Sequence, residues 1–238
     1  MLRSKQMLAE WMDQHDITEQ DYHGAMVALD TLNTWSRTAQ NLCLHISRLI
    51  RNTHESGKGR TFLIHDYGCG DGNLTARLSR YLQTSGVSHR IVGIDANARG
   101  IESGRARFCS SENPNLQLQT ADVLASDAAC DIAISSLFMH HLTDHELTIM
   151  LQKTSARASV GLIFTDLRRC YGGLALAYLA TRCLTSSIVA RNDGPISVRN
   201  SRTCQEMLSL ARRAGLNDAR VHRSWPARLV LERHAQTG

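Results

Sequence analysis

The chain has 238 residues, enough for one domain with a core of its own. Its 42% hydrophobic and 21% charged residues are the proportions of a soluble globular protein. The apolar stretch from Leu174 to Ala180 is halted by Arg182, well short of the roughly 20 residues that span a bilayer. The N-terminus reaches Glu10 and Asp13 without an apolar run, so no secretory signal is expected and the location expected is cytoplasmic. Seven cysteines with no CxxC pair read as reduced thiols, with neither a disulfide framework nor a metal site expected. The net charge of +5 is uneven: residues 168–228 hold eleven arginines against Asp193, Glu206 and Asp218. Such a segment can face an anion or nucleic acid, or be a solvated basic face.

In chain order, residues 1–52 read as helical throughout, with a helix start at Thr18 and Asp21 and a helical stripe of Trp35, Ala39, Leu42, Cys43, Ile46, Leu49 and Ile50. Ser56 to Gly59 is a connector. From Arg60 the pattern alternates, with strands expected at 61–66, 90–95, 116–120, 131–136 and 160–166 and helices at 73–85, 98–109 and 144–157. That alternation implies a doubly wound, mostly parallel sheet with helices on both faces. Residues 170–202 break the rhythm as a lid-like insertion of one or two short helices, with a turn at Asn192-Asp193-Gly194-Pro195. Thr203 and Glu206 form a capping box for a helix that Gly215 ends. Strands at 218–224 and 228–233, joined by Trp225-Pro226, must pair antiparallel, which gives a seven-stranded sheet whose last strand is reversed. The whole reads as one domain: N-terminal helices to residue 55, a core at 60–169, the insertion, and a C-terminal helix with two strands at 203–238.

Open parallel sheets bind ligands at the carboxyl ends of their strands. Here the first strand ends in Asp66-Tyr67-Gly68-Cys69-Gly70-Asp71-Gly72-Asn73, a glycine turn into a helix, where backbone N–H groups and the helix dipole face a ligand. The second ends at Asp95, able to accept both hydroxyls of a ribose. Asp122 follows the third and can accept from an adenine amino group. Ser135-Ser136-Leu137-Phe138-Met139-His140-His141 follows the fourth. A dinucleotide site would want a third glycine at 73, where Asn73 stands, and Asp66 would repel a pyrophosphate. Asp66 welcomes a cation instead, so the ligand has ribose, adenine and an ammonium group.

These strings, with Gly93-Ile94-Asp95 and Ala121-Asp122-Val123, resemble the class I S-adenosylmethionine-dependent methyltransferases over roughly residues 60–166. The likeness is closer to the small-molecule branch of ubiquinone and menaquinone methyltransferases. It extends through Asp166 to Arg169 and Asp193 to Arg199 to bacterial members acting on polyketide or phenolic products. The resemblance implies S-adenosylmethionine as cofactor, S-adenosylhomocysteine as product and a small-molecule acceptor. It places Asp66 at the methionine amine, Gly68, Cys69 and Gly70 along methionine and ribose, and Asp95 at the ribose hydroxyls. Ala96, Asp122 and Val123 fall around adenine, and Asn73 and Ser136 on the same cofactor wall.

Methylation of a phenol or alcohol needs a base, and His140 or His141 can serve; the pair can equally shape the pocket rim. Phe138, Met139, Tyr171 and Tyr178 can line an apolar acceptor pocket, and Arg168, Arg169, Arg191 and Arg199 can hold an anion or be exposed. The reading reached is O-methylation of a phenolic, aromatic or polyketide-type molecule, with C-methylation of a quinone-like ring as the alternative. RNA methylation and a non-catalytic scaffold stand further off, since few aromatics are present to stack bases.

Overall fold

A computed structural model describes residues 2, 4–14, 17–51, 59–109 and 113–235. The strands are β1 (Phe62–Tyr67), β2 (His89–Asp95), β3 (Leu116–Thr120), β4 (Cys130–Ser136), β5 (Ala158–Leu167), β6 (Arg220–Ser224) and β7 (Arg228–His234). They form one sheet in the order β3-β2-β1-β4-β5-β7-β6. Pairing is parallel from β3 through β5, and β7 runs antiparallel to both β5 and β6. The order reverses between β1 and β4, which opens a crevice at their carboxyl ends.

The helices are α1 (Glu19–Trp35), α2 (Thr38–Arg51), α3 (Asn73–Thr84), α4 (Ala98–Phe108), α5 (Asp144–Arg157), α6 (Tyr171–Cys183), α7 (Ile188–Asn200) and α8 (Cys204–Arg213). Leu42 and Ile46 of α2, Leu78 and Leu82 of α3 and Ile101 of α4 pack on one face of the sheet. Leu147 and Met150 of α5 with Met207 and Leu210 of α8 cover the other. Burial on both faces explains the unbroken apolar runs in β4 and β5. Close approach is needed where α4 meets the glycine turn: a Cβ on Gly104 would stand 1.9 Å from the Asp71 carbonyl oxygen. Among the described residues no helix is long and apolar enough to cross a membrane.

Three expectations change. Residues 5–10 are not helical, because their backbone is engaged by α7: Gln6 N–H donates to Arg199 O, and Leu8 exchanges hydrogen bonds with the Asn200 amide at 2.9 Å each way. A short 3-10 turn at Trp11–Asp13 follows. The expected turn at 192–195 lies inside α7, with Pro195 in the helix interior. Burial of Pro195 and Asp193 and the hydrogen bonds that Asp193 accepts from Trp11 and Met12 N–H hold that helix together against its turn-forming composition. The stripe of residues 35–50 belongs to two helices, since Arg37 at φ 51° separates α1 from α2 and leaves Trp35 exposed. Of the connector Ser56–Gly59, residues 56–58 lie outside the described residues. Both expected caps form: Thr18 accepts from Asp21 N–H, and Thr203 with Glu206 makes a capping box.

Candidate functional site

The turn after β1 is shaped by glycine. Gly68, Gly70 and Gly72 have φ of 75°, 60° and 75°. At Gly68 a side chain is excluded twice, by that backbone and because a Cβ would lie 2.1 Å from the Phe138 ring. Gly70 N–H donates to Asp95 at 2.7 Å, and Asn97 N–H donates to its other carboxylate oxygen at 2.8 Å, so the end of β2 is tied to the turn. Asp66 is buried and accepts from the Thr75 hydroxyl at 2.6 Å. Burial pushes its pKa up to about 6; the Thr75 bond opposes that and the Asp95 charge adds to it. Asp95 is raised as well, by burial first, against the N–H bonds from Asn97 and Gly70.

A cavity of about 480 Å³ opens from this turn under α1, α6 and α7. Asp66, Gly68, Cys69, Gly70, Asn73, Asp95, Ser136, His140 and His141 all line it. Ala96, Asp122 and Val123 do not. Ala96 is exposed, Asp122 is exposed and accepts from Leu124 N–H at 2.8 Å, and Val123 packs in the core. The Ser136 hydroxyl is buried without a partner and belongs to the wall, which fits a ligand that would bond it.

The histidines sit in a 3-10 turn, Met139–His141, whose carbonyls are pinned from outside. Arg202 donates to Met139 O and Leu142 O at 2.8 Å each, and Lys5 donates to His140 O at 2.9 Å. His140 is buried and its Nδ1 lies 2.7 Å from Asp166 Oδ1. Burial alone would raise Asp166, but the His140 charge and hydrogen bond and the Leu167 N–H bring it below the usual carboxylate range. An ionised Asp166 accepts only, so Nδ1 carries the proton and Nε2 is the basic nitrogen. Glu10 Oε1 stands 3.8 Å from that Nε2. Glu10 is itself buried and raised by burial, although His140, His141 and a Ser197 hydrogen bond pull it down.

His141 stacks beside His140 with ring centroids 4.2 Å apart, and its Nδ1 meets Asp13 at 3.1 Å. Burial lowers its pKa, but the hydrogen bond to Asp13 and the charges of Glu10, Asp13 and Asp166 prevail and lift it to about 9. Glu10, His140 and His141 also offer donor atoms within 4.8 Å of one another, close enough to hold a metal ion, as do His45, His222 and Glu232 elsewhere.

Other expected pocket residues lie elsewhere. Phe138 lines the cavity, whereas Met139 is buried in the core and Tyr171 and Tyr178 are on the outer surface of α6. Arg169 is buried and donates to Ser201 O at 2.7 Å and to Glu206; Arg191 and Arg199 cap carbonyls of Thr185 and Pro195. None of these, nor Arg168, reaches the cavity wall. Asp166 enters the sequence reading only through the likeness over Asp166 to Arg169, although it lies at the end of β5, where the strand-end rule that picks Asp66 and Asp95 applies. Glu10, Asp13 and Arg228 carry no local signal.

Residues 64–158 match the family model described as a methyltransferase domain, within the core expected at 60–169. The match covers 95 of the 238 residues, less than half of the chain. No curated protein matches the chain. Solved structures of similar fold include human N-acetylserotonin methyltransferase in complex with S-adenosylmethionine. It is 14% identical with a TM-score of 0.63, over 91% of this chain and 57% of that one. Magnesium protoporphyrin IX methyltransferase from Synechocystis PCC 6803, with bound S-adenosylhomocysteine, is 13% identical with a TM-score of 0.56, over 94% and 91%. The citrinin polyketide synthase CMeT domain is 13% identical with a TM-score of 0.60, over 82% and 51%. The chain thus spans little more than half of the first and third. At these identities the likeness is one of fold, the class I methyltransferase fold.

Proposed function

We propose that the chain transfers a methyl group from S-adenosylmethionine to an oxygen of a small phenolic, aromatic or polyketide-type acceptor. The observation that carries this reading is that His140, which lines the same cavity as the glycine turn, is held from behind by the buried Asp166. Asp66, the backbone of Gly68 to Gly70, Asp95 and Ser136 would hold the cofactor, with Asp66 toward its cationic amino-acid end. When bound, S-adenosylmethionine supplies an electrophilic methyl group.

His140 takes the acceptor's hydroxyl proton on Nε2, and Asp166 fixes the tautomer and stabilises the imidazolium that forms. His141, protonated at neutral pH, has no vacancy for a proton and acts as a hydrogen-bond donor at the rim. Helices α1, α6 and α7 exclude water and align the acceptor, which supplies a large part of the rate. Of the basic C-terminal third, the buried Arg169 and Arg202 serve carbonyls and acids of the chain itself, which removes those two from any RNA-binding face. Methyl-labelled cofactor incubated with the protein and a cell extract tests this. Label is expected in the small-molecule fraction; label in RNA, or none, overturns it.

A further inference from the structure

Arg228 is the one lysine or arginine among the described residues lining the cavity, whose other charged lining groups are acids and histidines. It opens β7 opposite Leu167, the last residue of β5, and is 6% exposed. Its Nη2 donates to the neutral oxygens Asn33 Oδ1 and Ser36 Oγ, at 3.2 Å each. Its Nη1 is buried with no partner. Asp166 acts on it only through its field and is already engaged by His140 and Leu167 N–H. Burial lowers its pKa to about 10, so it remains a cation at neutral pH. A buried guanidinium with an unpartnered Nη1 and no hydrogen-bonded carboxylate is unfavourable unless something completes its pairing. The same cavity is lined by the apolar side chains of Leu29 and Leu32 of α1, Leu176 of α6, Leu167 and Pro226.

We infer that Arg228 is the anchor for a carboxylate on the acceptor, which makes the acceptor an apolar aromatic or polyketide-type acid. A carboxylate matches the planar donor fork of arginine, and one anionic group on an apolar body suits these walls better than a doubly charged phosphate does. The anion site stands on the guanidinium. Only the further step, that the acceptor's hydroxyl meets His140, rests on the methyltransferase reading.

The full chain, alone and saturated with S-adenosylhomocysteine, would be titrated at pH 7.5 with 2-naphthoate and with 2-naphthamide, by calorimetry and melting temperature. Naphthoate is expected to bind about tenfold more tightly than the amide, as a charge-assisted hydrogen bond over a neutral one implies. Arg228→Met should erase the preference and Arg228→Lys should keep part of it. If Arg228→Met does not fold, the wild-type comparison and Arg228→Lys decide. Equal binding of acid and amide, no binding of either, or an undiminished preference in Arg228→Met overturns the inference. A melting shift with S-adenosylhomocysteine but no acid preference fails this inference alone. Acid preference without that shift fails the methyltransferase reading alone.

Discussion

At one end of the cavity the polar groups come from residues 66–73 and 95–97, two short stretches at the ends of neighbouring strands. At the other they come from Glu10, Asp13, His140, His141 and Arg228, with Asp166 behind His140, and these span almost the whole chain. The first end is held by backbone: Gly70 and Asn97 N–H groups grip Asp95, and positive φ angles form the turn. The second is held by hydrogen bonds between distant segments, such as Lys5 to His140 O and Trp11 N–H to Asp193. A local backbone site is independent of what is built above it, and an assembled side-chain site is free to change its acceptor. The two ends should therefore fail separately.

The largest effect is expected at the assembled end. His140→Ala or Asp166→Asn should lower kcat by roughly 10²–10⁴-fold, the usual worth of a general base, with cofactor affinity unchanged. Steady-state rates and cofactor titrations on the same preparations check this, and weakened cofactor binding would erase the division. Next, Asp95→Ala should weaken cofactor binding by roughly 10–100-fold, the worth of hydrogen bonds to a charged group, and remove most of the melting shift.

A smaller effect follows from pH. Asp66 has its pKa raised to about 6, so its carboxylate is present above that and is lost as pH falls through it. Cofactor affinity should fall by at most about tenfold per pH unit below 6, measured by calorimetry from pH 7.5 to 5. The apoprotein responds with the opposite sign. A group whose folded pKa is raised contributes stability that is fully present below its unfolded value and lost as pH rises through about 6. Affinity that stays flat across this range would remove Asp66 from the cofactor's cationic end. The smallest effect is expected at Tyr178→Ala, outside the cavity: stability within about 0.5 kcal/mol by denaturant titration, and an unchanged rate.

The same contrast explains what could be read from residues alone. Strand period, glycine spacing and the strand-end acids Asp66 and Asp95 are local signals, and β1 to β5 fall within a few residues of the expected strands. The histidine pair was visible as a strand-end string, but its division of labour was not, because Asp166 orients one ring and Asp13 charges the other from afar. Tyr171 and Tyr178 have the composition of a pocket lining, yet the rotation of α6 turns them outward. The basic C-terminal third looked like an anion-binding face. Its arginines mostly secure chain carbonyls and acids, and Arg228, which reaches the cavity, was hidden in an ordinary strand start.

The most direct test of the two-ended cavity is calorimetric titration of S-adenosylhomocysteine into the wild type, Asp95→Ala and His140→Ala. Binding by the wild type and by His140→Ala with the same affinity, and a roughly 10–100-fold weaker affinity in Asp95→Ala, is the result expected. Unimpaired binding by Asp95→Ala, or its loss in His140→Ala, would contradict the account.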